Sequence, residues 1–492
     1  MGVIKQQTIK GTFYSYLGIL IGFITLNILQ PHILTAEQIG LTGILISLST
    51  LFAQFASLGF GGTARYFPYF RNAENKHHGY LFLSCSVAFV GMLLLVIFVY
   101  VFKNEIIEEK SQKSALFESY FWYLIPLTFF TLFFNVFDLY ARVLFNAISG
   151  RVLREFTKRV FILIAVLLIY LKLVNFNTYM PVWLLANIIP TFIIIWILVR
   201  DKHFFFSPDF KFLDKDLRKK LVSISFYFIL SGSAGVLVDN IDKYIIKDKL
   251  GLSDTGIYTI AYYFATVISL PARSLYSIST TIVSESWKTN DIANIKMIYK
   301  KSCINQLIAA LFLLIIIWAN VDSIFHFLPS NYLSGKYVIF FVGLGYLIDS
   351  ATGINSVIIA ASEYFKYDLW FNLVLIVISV VTNLILIPYY GIIGTAIATA
   401  LTFLIFNLIR YLFILKVFKM QPFTLKSPLT LVTGVIVYLA SKWLIPVNSN
   451  VILDLICRSL FICITFGLAT YFLNLSEDIN HTIDESIAKL RR

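Results

Sequence analysis

Charge is scarce in this chain. Only 14% of its 492 residues are Asp, Glu, Lys or Arg, against 58% hydrophobic ones, and one soluble core could not hide that much oily surface. Cysteine is scarcer still: Cys85, Cys303, Cys457 and Cys463 each lie in or beside an apolar run, with no Cys-x-x-Cys pair. That excludes a disulfide framework and a thiolate metal site, and the four read as small core hydrophobes. His77 and His78 stand together in a basic loop with no further ligand at metal spacing, so no metal is expected. Gly59, Gly61, Gly62 and the string "GLGYLI" lack the strand context or the Gly-Lys pair of a phosphate loop, which removes a nucleotide site. No small-residue cleavage site follows the N-terminal "MGVIKQQTIKG", so the first apolar segment reads as a retained span.

What is present is a succession of long apolar runs, with mean hydropathy +0.80. A bilayer core about 30 Å thick takes roughly 20 helical residues to cross. Cutting at charged, Pro and Gly interruptions predicts helices near 11–30, 38–62, 79–102, 117–141, 153–174 and 178–199, a basic loop, then 221–241, 254–280, 303–321, 336–361, 367–387, 391–415, 427–446 and 451–473. The expected fold is therefore all-α and polytopic, with about fourteen membrane helices. The expected organisation is an N-terminal lobe (1–200), a cytoplasmic basic linker (201–220), a C-terminal lobe (221–420), two further helices (421–475) and a cytoplasmic tail (476–492).

Cytoplasmic loops collect Lys and Arg, which tests this map. With the N-terminus inside, the inner segments hold thirty of the forty basic residues and the outer segments nine, with Arg458 inside the last span. A miscounted span would invert the bias downstream, and it persists to the end. Both termini are thus expected in the cytoplasm. The net charge of +13 follows topology and meets anionic lipid headgroups, so it does not point to nucleic acid.

A shift of 216 residues overlays "LTAEQIGLTGILISLST" from Leu34 on "LGLSDTGIYTIAYYFAT" from Leu250, pairing Gly40 with Gly256, Ile44 with Ile260 and Thr50 with Thr266. This internal repeat joins two six-helix blocks in the same orientation, as in a duplicated transporter with its substrate site between the halves. Just before the second copy, Asp239, Asp242 and Lys243 fall about one helical turn apart at an expected outer helix end. They read either as an interfacial ion-pair patch or as an external gate.

The stretch "NIDKYIIKDKLGLSDTGIYTIAYYFATVISLP" resembles the seventh-to-eighth helix signature of polysaccharide flippases in the multidrug/oligosaccharidyl-lipid/polysaccharide exporter superfamily. "SLGFGGTARYFPYF", with Arg65 and Tyr66, is similar to that family's second-helix end, and "LIPYYGIIGTAIATAL" resembles its Pro-x-x-Gly-x-x-Gly turn between helices eleven and twelve. The resemblance covers essentially the whole chain. It implies alternating access in a bacterial inner membrane, moving an undecaprenyl-pyrophosphate-linked oligosaccharide to the outer leaflet for O-antigen, capsule or exopolysaccharide. It also implies a lipid-tail groove beside helices thirteen and fourteen.

Such cargo needs a wet cationic path, and Arg grips phosphate oxygens with a planar fork that stays charged. The candidates for pyrophosphate binding are Arg65, Arg273 (just after Pro271) and Arg142. Each is weighed against a positive-inside anchor snorkelling to headgroups. Arg142 has Asp138 four residues earlier to neutralise it. Arg458, four residues after Asp454, reads as a structural pair, and Arg410 as an inner-end anchor. Asp349 lies near mid-span with no basic neighbour at helical spacing, which suits Na+ or H+ coupling; the plainer reading is a hydrogen bond to neighbouring helices. No cofactor is expected, and the partners are the lipid-linked oligosaccharide, membrane lipids and polysaccharide polymerase machinery around a single chain. The rivals are a cation-coupled multidrug antiporter of the same superfamily and a membrane polymerase or acyltransferase. The antiporter would favour twelve spans and an acidic cavity. The enzyme would carry a large external loop or a His/Asp set, whereas the longest outer loop, Lys103 to Leu116, is short and has neither.

Overall fold

The computed structural model describes residues 2–107, 115–445 and 450–490, with no β-strand among them. Contacts divide the chain into two units, 1–259 and 260–492. In the first, α1 (Gly2–Phe23) continues through a π turn, Ile24–Leu29, to Ile33. Then come α2 (Ala36–Ala56), α3 (Tyr80–Val101), α4 (Leu124–Val143), α5 (Lys158–Tyr170), α6 (Phe176–Arg200) and α7 (Lys215–Leu250). The unit boundary falls within α8 (Leu252–Thr266). The second unit holds α9 (Leu270–Lys288), α10 (Ile292–Ala319), α11 (Lys336–Ala351), α12 (Phe365–Phe418), α13 (Lys426–Leu444), α14 (Val451–Phe472) and α15 (Glu477–Leu490).

Among the described residues eleven helices are long and apolar enough to cross a membrane, so the protein is multi-pass; the expected count of fourteen is not established by that measure. The long helix α12 carries two of the expected segments, 367–387 and 391–415. Gly391 takes φ 56°, ψ −136° inside it, a left-handed conformation open to glycine. The chain doubles back there: Thr382 and Thr402 bring their hydroxyls to 3.4 Å, and a Cβ on Gly394 would meet the Leu386 carbonyl oxygen at 2.3 Å. Two other expected segments, 153–174 and 254–280, are helical but interrupted, by a π turn at Leu153–Thr157 and a 3-10 turn at Val267–Ser269.

Local sequence sets the helix ends. Thr35 and Gln38 form a capping box at the start of α2, while Asn175 and Asp214 cap α6 and α7 by accepting from Thr178 N and Leu217 N. The 216-residue repeat leaves a mark within the first unit. A Cβ on Gly40 would lie 1.9 Å from the Leu252 carbonyl oxygen, and one on Gly256 would lie 1.9 Å from that of Ala36. Ala36 and Leu252 are themselves partners at this offset, so the two helix turns pack reciprocally, backbone against backbone.

Residues 201–220 are not a free linker. Asp214 starts α7, and the segment before it is strapped onto the first unit: Phe204 and Phe212 pack against a core of Phe67, Phe70, Tyr80 and Tyr140. His78 stacks on Phe212 with ring centroids 3.8 Å apart and donates from Nδ1 to Asp209 Oδ2 at 2.9 Å. That hydrogen bond holds the Asp209 carboxyl below the usual carboxylate range. The cysteine expectation also needs correction, because Cys85 and Cys303 are buried but Cys457 and Cys463 are exposed on α14. An apolar run can be a lipid-facing surface as readily as a core.

Candidate functional site

The first unit contains a cavity of about 580 Å³ lined from α2, α3, α4, α6, α7 and the turn that leads into α5. Its lining includes the uncharged polar residues Thr50, Gln54, Ser57, Ser84, Thr131 and Asn187, while Phe60, Phe130, Phe134 and Phe228 supply apolar faces. Asn187 donates from Nδ2 to the Trp183 carbonyl at 2.8 Å, and its Oδ1 has no protein partner among the described residues. Three cations, Arg142, Arg154 and Lys158, make up its cationic wall.

Chain geometry brings these three together. Helix α4 ends at Val143, where Arg71 donates to the Val143 carbonyl at 2.9 Å. Phe145 then takes φ 66°, and Asn146 caps a short helix, Ala147–Val152, by accepting from Ser149 N. The π turn Leu153–Thr157 follows, a widened turn that re-aims side chains and recurs at functional sites. Arg154 and Lys158 line the cavity, while Glu155 and Arg159 pair at 2.9 Å. Helix α1 lies against that pair, since a Cβ on Gly18 would meet the Glu155 carbonyl oxygen at 2.0 Å.

Asp138, on α4, gathers the guanidinium groups. Its Oδ2 accepts from Arg154 Nη2 at 2.8 Å and stands 3.4 Å from Arg142 Nη2. The carboxylate is 6% exposed, whereas the Arg142 and Arg154 side chains are 51% and 48% exposed. Arg154 also donates to Asn135 Oδ1 at 3.3 Å and lies over the Phe134 ring. Two cations thus lean on a buried anion from the cavity side and keep most of their five N–H donors free for a ligand. The sequence flagged Arg142 with Asp138. It missed Arg154 and Lys158, although both fall inside the expected span 153–174, where a basic residue is functional by default.

The other predicted residues are dispersed. Arg65 is exposed at the end of the 3-10 turn Phe60–Tyr66, outside the cavity lining. Arg273 is exposed on α9, in the second unit. In the charged cluster at the end of α7, Asp239 is exposed, whereas Asp242 and Lys243 are buried. Tyr258 donates to Asp242 Oδ2 at 3.0 Å, and Lys247, 1% exposed, donates to the carbonyls of Ile106 and Ile107 at 2.9 and 3.0 Å. Much of the cluster is therefore internal, where an interfacial patch was one expectation. Half of the expected outer loop from Lys103 to Leu116, residues 108–114, falls outside the described residues.

In the second unit Asp349 is half-buried and accepts from Asn407 Nδ2 at 3.1 Å. Asn407 Oδ1 accepts in turn from Thr352 and Asn355 at 2.8 and 2.9 Å. One turn along, Arg410 is buried, donates to Asp368 at 2.7 Å and lies 3.9 Å from the Phe406 ring centroid. It forms an internal ion pair with Asp368, where an inner-end anchor was expected. Arg458 and Asp454 do form their expected pair, at 2.8 Å.

The family model for polysaccharide biosynthesis proteins matches residues 7–283. The chain belongs to that family. Its fold is that of "Lipid II flippase MurJ, inward closed conformation", with TM-score 0.73 and 15% identity over 95% of this chain and 100% of that one. A multidrug resistance MATE transporter of the MOP superfamily, inward-facing, gives TM-score 0.62 and 14% identity over 81% of this chain and 93% of the other. A mutant of the Vibrio cholerae MATE transporter VcmN gives 0.52 and 13% identity over 85% and 98%. No curated protein matches by sequence. This family member is accordingly a multi-pass membrane protein on a flippase and transporter fold, and among its described residues no group of three or more His, Cys, Asp or Glu side chains could hold a metal.

Proposed function

We propose that the protein flips an undecaprenyl-pyrophosphate-linked oligosaccharide from the cytoplasmic to the outer leaflet of the bacterial inner membrane by alternating access. The observation that carries this reading is the cavity of the first unit, where Arg142, Arg154 and Lys158 face uncharged polar and aromatic walls. A diphosphate bears negative charge that hydrocarbon rejects, and guanidinium forks in a sheltered cavity replace its hydration shell. Sugar hydroxyls suit the amide and hydroxyl wall, and the isoprenoid can stay in the bilayer. The family match supports a role in polysaccharide biosynthesis, and the shared fold supports transport over catalysis.

Arg65 and Arg273 are proposed as further headgroup contacts outside this cavity, on the cytoplasmic face where both termini lie. Asp349, within the Asn407 network, is the proposed coupling site for Na+ or H+. Asp239, Asp242 and Lys243 are the proposed external gate. The product feeds polysaccharide polymerase machinery for O-antigen, capsule or exopolysaccharide. Export of organic cations is the second reading, favoured by the fold shared with MATE transporters. The cationic wall opposes it, because like charges repel a positively charged drug.

Reconstitution in proteoliposomes with a labelled lipid-linked oligosaccharide tests the proposal. The triple variant Arg142→Ala, Arg154→Ala, Lys158→Ala is expected to flip at least about tenfold more slowly than the parent chain, since each charge-assisted contact is worth roughly 1.5–3 kcal/mol. Flipping at the parent rate, or uptake of an organic cation in place of the lipid, overturns it.

A further inference from the structure

We propose that Asp138 is a positioning residue for the headgroup site: a buried carboxylate that holds two guanidiniums side by side for one diphosphate, seated there because residue 150 is glycine. The inference rests on the headgroup reading given above and goes further, because it assigns selectivity to a residue that carries the ligand's own sign of charge.

Three features lead to it. Asp138 lies behind Arg142 and Arg154, almost fully buried, while both arginines are half-exposed toward the cavity. The same oxygen, Oδ2, faces both guanidiniums, so their separation is set by one atom. The other oxygen, Oδ1, occupies the space a side chain on residue 150 would need: a Cβ on Gly150 would come within 1.7 Å of it. Gly150 is helical, with no left-handed φ to require glycine. The absence of a side chain there is a matter of room for the carboxylate.

The charge balance explains why an anion should sit in an anion site. Arg142, Arg154 and Lys158 against Asp138 leave two positive charges, enough for two phosphoryl groups. Without the carboxylate, Arg142 and Arg154 would repel each other and swing on flexible stems. The net charge would rise while the fixed geometry was lost. A single phosphoryl group, which needs one guanidinium in any orientation, is indifferent to that loss or gains from the extra charge. A diphosphate, which spans both, is penalised.

The test uses the full chain in detergent with farnesyl diphosphate and farnesyl monophosphate as probes, binding followed by calorimetry and folding by thermal unfolding. The parent chain is expected to prefer the diphosphate. Asp138→Asn, which removes the charge, and Gly150→Ala, which displaces the carboxylate while leaving its charge, are each expected to weaken diphosphate binding about tenfold. Monophosphate binding should stay within about threefold, as exposed pairs contribute little. Both variants should unfold near the parent temperature. If either variant misfolds, the other decides. A preference that survives in a folded variant overturns the proposal, and so does loss of fold in both, since the carboxylate is then only a structural tie. If Arg154→Ala abolishes diphosphate binding while Asp138→Asn and Gly150→Ala leave the preference intact, the positioning role alone falls. If the parent chain binds neither probe, the headgroup reading falls with it.

Discussion

The chain contains the same five-residue pattern twice. "DLYAR" ends α4 with Asp138 and Arg142, and "DLICR" begins α14 with Asp454 and Arg458. Both place a carboxylate and a guanidinium one helical turn apart, and the structure puts them to opposite uses. At the second site the guanidinium is 2% exposed, at 2.8 Å from Asp454, and its Nη1 and Nη2 also donate to the carbonyls of Ser441 at 3.2 Å and Ile445 at 3.5 Å. Ser323 donates to the other carboxylate oxygen at 3.0 Å. That pair is closed on itself and ties α14 to α13. At the first site the nearer partner of Asp138 comes from sixteen residues away, Arg154, and both arginines open onto a cavity. The i to i+4 spacing marks an ion pair; the third partner decides whether it is a rivet or a receptor.

The largest effect expected from this contrast is at the closed site. Arg458→Ala leaves a buried carboxylate uncompensated and should destabilise the protein by about 3–5 kcal/mol. Replacing both partners by apolar residues of similar size, Asp454→Leu with Arg458→Met, should recover most of that loss. Denaturant midpoints in detergent compare the two, and an equal loss in both would mean that Asp454 and Arg458 are not an isolated unit. At the open site the order reverses: Arg154→Ala should change stability by less than about 1 kcal/mol, because the guanidinium is half-exposed and Arg142 remains beside Asp138, while removing most of the flipping activity. Equal stability losses at Arg154 and Arg458 would erase the distinction.

The smallest effect is expected at a third carboxylate, Asp209, which lies in the strap over the first unit and is held there by His78. Its carboxyl is held below the ordinary range by that hydrogen bond, so its contribution is fully present above the unfolded value, about 3.9. It is lost as pH falls through the lower folded value. Hydrogen exchange in residues 203–214 should therefore be unaffected by Asp209 titration at neutral pH and accelerate only once pH drops below the carboxylate range. Asp209→Asn should abolish that acid limb, and an unchanged limb would show that the strap is held by Phe212 stacking alone.

Much of this architecture was legible in the chain. The apolar runs located the helices, the Pro388-to-Gly394 pattern located the tight reversal at Gly391, and the 216-residue offset picked out Gly40 and Gly256, which meet. The cationic wall was half legible. Arg154 and Lys158 enter the sequence reading only as inner basic charges, because a tally of charges along a chain measures sidedness and says nothing about where a side chain points. The π turn that aims them was invisible for the same reason: hydrophobic spacing in so short a stretch cannot register one extra residue per turn. Asn407 and Asp368 were missed as partners of Asp349 and Arg410 because each pair closes across forty residues or more of chain, beyond any local spacing rule.

The reciprocal seat of Gly40 and Gly256 has a further consequence. A contact in which each copy offers its partner the same surface has the geometry of a two-fold symmetric dimer, here contained in one polypeptide. In a true dimer every substitution appears twice, and a charge on one subunit is a charge on both. Within one chain the copies are free to part company. At the same offset, the positions of Arg142, Arg154 and Lys158 are occupied by Ile358, Trp370 and Val374. A single polypeptide can thus carry cations at these three positions and uncharged, apolar side chains at their counterparts.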